Sequence, residues 1–174
     1  IGLVWVDAHL DAHTPATSFT QAPHGMPVAA LLGHGSPALA GLYGWAGKIR
    51  PEHLVIVGAR SYEAGERDLL ERLGVRIMYM PEVHRRGFVD CMAEATDRVR
   101  PGTAAWGLSF DLDALGPQDA PGTGTPVDSG IDLQQALAAM GEVARLPGCA
   151  ALGLVGYNPS HDIAGRTAQA AFSL

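Results

Sequence analysis

The chain opens with Ile1-Gly2-Leu3-Val4-Trp5-Val6-Asp7-Ala8-His9-Leu10-Asp11, and this stretch decides the fold. Val4, Trp5 and Val6 are apolar on consecutive rather than alternate positions, as in a strand covered on both faces. The chain turns acidic directly behind that run. Asp7, His9 and Asp11 occupy alternate positions, and on an extended backbone side chains two apart point to the same side. A second stretch repeats the arrangement: Leu108-Ser109-Phe110 closes an apolar run, and Asp111-Leu112-Asp113 follows at once.

Further out, short apolar runs alternate with longer amphipathic ones. The patterning predicts strands over residues 2–6, 54–57, 75–79, 105–110 and 151–155, and helices over 27–32, 63–73, 89–99, 133–144 and 166–174. In the helix predicted over 63–73, Leu69, Leu70 and Leu73 form an apolar stripe, and Glu66, Arg67, Asp68, Glu71 and Arg72 are expected to face water. Strand–helix alternation implies an α/β domain with a mostly parallel sheet, with residues 1–174 expected to form one domain. In such sheets ligands sit beyond the carboxyl ends of the strands, where both acidic motifs lie.

Composition removes several classes of function. With Lys+Arg at 12 and Asp+Glu at 18, the net charge is -6, and no basic cluster stands out to recruit nucleic acid or an anionic membrane. No uncharged apolar run is long enough for a membrane helix. A nucleotide fold is disfavoured, because no Gly-x-Gly-x-x-Gly follows a strand and acidic strand ends would repel phosphate. Cys91 and Cys149 lie far apart without a CxxC, so both are expected to be buried, reduced thiols in a cytoplasmic protein. Ile1 is not Met and the chain opens within a strand pattern, so further sequence is expected upstream.

Four bunched carboxylates repel one another in a dry site unless positive charge joins them. A pair of divalent cations removes that objection. Oxygen donors with one imidazole suit Mn²⁺ or Mg²⁺ better than Zn²⁺ or copper. The competing reading makes the aspartates turn and helix-capping residues at strand ends. Two such motifs after two apolar runs, one of them holding a histidine, favour the metal. His34, His53, His84 and His161 have no such company and are expected to be surface or loop residues.

The motifs then fall into a recognisable series. Asp7-Ala8-His9-Leu10-Asp11 is followed by His13-Thr14-Pro15, His24-Gly25-Met26-Pro27, Ser109-Phe110-Asp111-Leu112-Asp113, Gly122-Thr123-Gly124-Thr125-Pro126-Val127 and Tyr157-Asn158-Pro159. In order and spacing this resembles the arginase (ureohydrolase) family, and the His-Gly-Met-Pro and Gly-Thr-Pro-Val forms resemble arginase more than agmatinase. The resemblance implies a three-layer α/β fold lacking its N-terminal part. It also implies Mn²⁺-dependent hydrolysis of a linear guanidino C–N bond, arginine to ornithine and urea, by a hydroxide bridging two Mn²⁺ ions. It makes Asp7 and Asp111 bridging ligands, adds Asp11 to one ion, and adds His9 and Asp113 to the other. By the same resemblance Asp11 also holds the hydroxide, His24 is a mobile proton shuttle, His13, Ser18 and Thr20 hold the amino-acid end of the substrate, and Thr125 lines the guanidinium pocket. The implied partners are a small guanidino substrate and further copies of the chain in a trimer or hexamer.

The sequence departs from that pattern in places. The family's upstream Gly-Gly-Asp-His segment is not in this chain, so the ion held by Asp7, Asp11 and Asp111 lacks its imidazole. The family's guanidinium-binding Glu is replaced by Gly156, its Leu-Asp-Pro by Leu115-Gly116-Pro117, and the Asn of many arginases by His13. These departures imply uneven metal binding and weakened turnover, and returning Glu to position 156 is expected to raise urea release. The alternatives are a sister ureohydrolase (agmatinase, guanidinobutyrase or formimidoylglutamase), an inactive metal-binding subunit, and a non-enzymatic α/β module.

Overall fold

The computed structural model describes all 174 residues. Its sheet is built from β1 (Gly2–Val6), β2 (Leu54–Ala59), β3 (Arg76–Tyr79), β4 (Trp106–Asp111) and β5 (Cys149–Val155). They lie in the order β3-β2-β1-β4-β5, every neighbouring pair parallel. The helices are α1 (Pro27–Leu31), α2 (Pro37–Ala40), α3 (Ala64–Leu73), α4 (Met80–Arg86), α5 (Phe88–Val99), α6 (Leu133–Val143) and α7 (Arg166–Ser173).

Alternation along the strands sends side chains to two faces, and helices cover both. Val4, Val6, Val55 and Val57 pack with Phe88, Met92 and Val99 of α5 and with Ala139 and Met140 of α6. On the other face Leu54 and Ile56 meet Val28 of α1 and Leu70 of α3. The result is the expected three-layer α/β arrangement.

The chain runs from β1 outward through β2 to β3, then returns to the other side of β1 as β4 and continues to β5. The direction of travel therefore reverses between β1 and β4, and an open α/β sheet forms its ligand crevice at such a point. The register pairs Val6 with Phe110, so the residues that follow each strand start side by side.

Some expectations need correcting. Glu66 does not face water: only 3% of it is exposed. It sits at the third position of α3, where its side chain accepts the backbone N–H of Glu63 in a capping box, so the helix start turns it inward. Cys91 is buried, but Cys149 is exposed at the start of the edge strand β5, and both thiols are free. The short helices α2 and α4 were not expected. Each carries a proline in its first turn, and α4 follows β3 with no spacer, so neither shows a full apolar period. Gly87, at φ 90, separates α4 from α5.

β5 has no neighbour on its far side, and its side chains are largely exposed on both faces, Leu152 at 53% and Val155 at 42%. No helix is long and apolar enough to cross a membrane.

Phe88, fully buried, meets Phe110 edge-on with ring centroids 6.5 Å apart, joining α5 to the strand that carries Asp111. Phe88→Ala is expected to lower the free energy of unfolding by about 3–5 kcal/mol, read by urea denaturation, with Phe88→Leu costing less than half as much.

Candidate metal centre

The site stands at the carboxyl ends of β1 and β4. Asp7 is 2% exposed and is held from three directions by the residues around it. The Trp5 indole N–H donates to its Oδ2 at 3.1 Å, the His9 backbone N–H donates to its Oδ1 at 2.7 Å, and the His9 Nδ1 stands 3.3 Å from the same Oδ1. Across the crevice Asp113, 5% exposed, has its Oδ2 3.2 Å from that same His9 Nδ1. Its Oδ1 accepts the Ala8 N–H at 3.3 Å, so the two motifs bond directly to each other. Asp111 accepts the Asp113 N–H at 2.9 Å, and Thr125 Oγ1 donates to Asp113 Oδ2 at 3.0 Å. Asp11 adopts φ 51, a left-handed conformation that costs non-glycine residues free energy and that surrounding contacts must impose. Its carbonyl accepts the Val28 N–H at 2.9 Å, which ties that turn to α1.

The charge state of the cluster reflects crowding. Burial, reinforced by Asp7, pushes Asp11 up to about 9. Burial, with Asp113 and Asp7 behind it, pushes Asp111 up to about 7. Burial lowers His9, but its bonds to Asp113 and Asp7 outweigh that and carry it up to about 10. A proton on the His9 nitrogen thus supplies the positive charge between two carboxylates. A divalent cation fits the same need. Ligand atoms of Asp7, His9 and Asp113 all lie within 4.8 Å of one another, and carboxylate oxygens with one imidazole suit a hard cation.

The ten side chains expected to serve as metal ligands, substrate contacts or proton shuttle all line one cavity of about 280 Å³. Asp7, His9, Asp11, Asp111 and Asp113 share it with His13, Ser18, Thr20, His24 and Thr125. His24 is exposed, in a single 3-10 turn over Pro23–Gly25. The adjoining cavity, about 630 Å³, shares Asp11, His24, Asp111, Asp113 and Thr125 and adds Gly156, Tyr157 and Asn158. The Gly122–Val127 and Tyr157–Pro159 motifs are laid together by an antiparallel bridge between Thr123 and Tyr157 and by the Asn158 N–H donating to the Gly122 carbonyl at 2.8 Å. His34, His53, His84 and His161 line neither cavity; His161 Nδ1 instead stands 2.8 Å from the Thr123 carbonyl.

Sequence reasoning overlooked Ser61, Glu63 and Glu66, which line the smaller cavity. His13 Nε2 lies 2.8 Å from Glu63 Oε2 and 3.3 Å from Glu66 Oε2, so a second group of potential ligands stands beside the first. The signal was available: Ser61 and Glu63 follow the carboxyl end of β2, the strand next to β1. They were missed because the 63–73 pattern reads as an ordinary amphipathic helix.

Residues 1–174 match the arginase family. This chain belongs to the arginase family. It is 40% identical over 174 residues to the arginase of Bacillus caldovelox, covering all of this chain and 58% of that relative. The native structure of that arginase superposes with a TM-score of 0.96 over 99% of this chain and 57% of its own. Entamoeba histolytica arginase in complex with L-ornithine gives 0.88 at 32% identity, covering 99% and 58%. A hypothetical agmatinase from Burkholderia thailandensis gives 0.77 at 27% identity, covering 99% and 47%. The chain therefore spans somewhat more than half the length of the Bacillus caldovelox and Entamoeba histolytica arginases.

The structure changes the reading of Gly156. Its φ is 81, and a Cβ there would overlap the Asp111 carboxylate. Returning Glu to this position is therefore not a simple restoration: the backbone must turn and Asp111 must move. Gly156→Ala is accordingly expected to weaken divalent-cation binding roughly tenfold or more, by displacing a ligand. Calorimetric titration checks this, and an unchanged affinity would show that Asp111 can move freely.

The protonation states set the pH dependence. At neutral pH His9 and Asp11, with values of about 10 and about 9, hold protons that a bound cation must displace. Cation affinity is therefore expected to climb with pH and to level off only above about pH 10, with protons released on binding. Titrations in buffers of different ionisation enthalpy would reveal those protons.

Proposed function

We propose that this chain carries the metal-binding part of an arginase-type hydrolase that converts L-arginine and water to L-ornithine and urea. The carrying observation is the convergence of Asp7, His9, Asp11, Asp111 and Asp113 on one cavity, in a chain 40% identical to an arginase. The cofactor is a pair of Mn²⁺ ions. Asp7, His9, Asp111 and Asp113 would hold one ion; Asp7, Asp11 and Asp111 would hold the other. When bound, such a pair makes water a strong nucleophile near neutral pH, which a resonance-stabilised guanidinium carbon requires.

The remaining work falls to the chain's own side chains. Asp11, which lines both cavities, accepts a hydrogen bond from the attacking water and orients it. Thr125 keeps Asp113 in place through its 3.0 Å bond and borders the space for the guanidinium. His24, exposed on its turn, passes a proton to the nitrogen that leaves as the C–N bond breaks, a task suited to an imidazole near neutral pH. His13, Ser18 and Thr20 face the far end of the substrate across the cavity. Gly156 supplies no carboxylate to grip the guanidinium, so turnover is slow. A charge-assisted bond lost in this way is worth about 1.5–3 kcal/mol.

Mn²⁺ titration with urea detection tests this reading. The chain offers an imidazole to one of the two metal positions only, so one Mn²⁺ is expected to bind at least tenfold more tightly than the other. Urea release is expected from arginine in preference to agmatine, and Asp11→Asn is expected to abolish it while sparing the tighter ion. Two equally tight ions would refute the ligand assignment. Formamide from formimidoylglutamate, with no urea from arginine, would move the substrate to the sister class.

A further inference from the structure

Arg60 follows β2 directly, outside every motif quoted above. Its guanidinium donates to six backbone carbonyl oxygens. Nε reaches Asp128 at 2.9 Å, Nη1 reaches Gly58 and Ala114 at 3.3 Å each, and Nη2 reaches Asp113 at 2.8 Å, Val127 at 2.9 Å and Leu115 at 3.3 Å. The backbone N–H groups of Arg60 and Ser61 meanwhile donate to the Ala8 carbonyl at 2.8 and 3.0 Å. Arg60 therefore bonds to the turn carrying Asp7 and His9, the turn carrying Asp113, and the loop running on from Thr125.

We propose that Arg60 is the positioning residue of the metal centre, its guanidinium fixing the turn that carries Asp113 and the loop beyond Thr125 against the end of β2, while its backbone N–H holds the turn behind Asp7 whatever the side chain. The inference rests on the metal reading above but concerns only what this chain's residues do to one another. Carbonyl groups turned in from three segments need donors when water is excluded. A guanidinium presents five N–H donors in a rigid plane, whereas an ammonium presents three from a single point. Lysine would keep the positive charge near Asp113 and lose the planar fan. Arg60 touches no reacting atom, so its effect must pass through the carboxylates it positions. Residues that orient metal ligands typically change affinity by about 10–100-fold when replaced.

The test uses Arg60→Lys and Arg60→Met in the full 174-residue chain. Hydrogen exchange of the metal-free protein is expected to quicken in residues 113–116 and 125–129 of both variants, with residues 8–13, α5 and α6 unchanged. Mn²⁺ affinity, read from the EPR signal of the free ion, is expected to fall at least tenfold in Arg60→Lys. Unchanged exchange in residues 113–116 and 125–129 would overturn the proposal. So would exchange and affinity restored to wild type by lysine, which would make the residue a charge and not a frame. A lower melting temperature with undiminished Mn²⁺ affinity would overturn it too, leaving Arg60 a stabilising residue only. If the unsubstituted chain takes up no Mn²⁺ while exchange changes as expected, the metal reading fails and the positioning role stands.

Discussion

The parallel pairing of β1 with β4 is the constraint on which this molecule depends. Because Val6 faces Phe110 across that pair, two acidic turns leave the sheet at the same height and on the same side. A shift of one residue would send every side chain of the slipped strand to the opposite face, and the carboxylates would no longer meet. The packing that enforces the register, Val4 and Val6 against α5 and Phe110 against Phe88, is thus also what assembles the site.

Assembling it opposes charge repulsion. Asp11 and Asp111 are both pushed well above the ordinary carboxylate range, chiefly by burial and then by their acidic neighbours. Three of the carboxylates are nevertheless held in orientation: Asp7 by Trp5 and the His9 backbone, Asp113 by Ala8 and Thr125, Asp111 by the Asp113 backbone. Ligands arranged in advance lose little conformational freedom when a cation arrives, the general advantage of preorganised sites. The left-handed Asp11 is a backbone conformation a relaxed chain would not choose, whereas Gly156 takes its positive φ without strain and leaves the Asp111 carboxylate its space.

Much of this was legible in the residues alone. The five strands were read at nearly their observed positions, because consecutive apolar runs have few other uses in a chain of this length. The meeting of five acidic and imidazole side chains in one cavity was legible because the two-residue repeat of an extended chain forces Asp7, His9 and Asp11, and likewise Asp111 and Asp113, to one side. Glu66 was misread for an equally physical reason: helical periodicity describes the body of α3 but not its first turn, where capping turns the side chain inward. Arg60 left no pattern at all, since its partners are backbone carbonyls distant in sequence.

What the sequence determined by itself is local. Apolar runs specify strands, alternation specifies which side chains share a face, and the order of the motifs specifies the family. Tertiary structure decided what no local rule reaches: that β4 lies beside β1, that His13 meets Glu63 and Glu66, that position 156 has no room for a Cβ, and that one guanidinium ties two loops to the end of β2. Those contacts join residues separated by tens of positions, and only the packing of the whole sheet brings them within bonding distance.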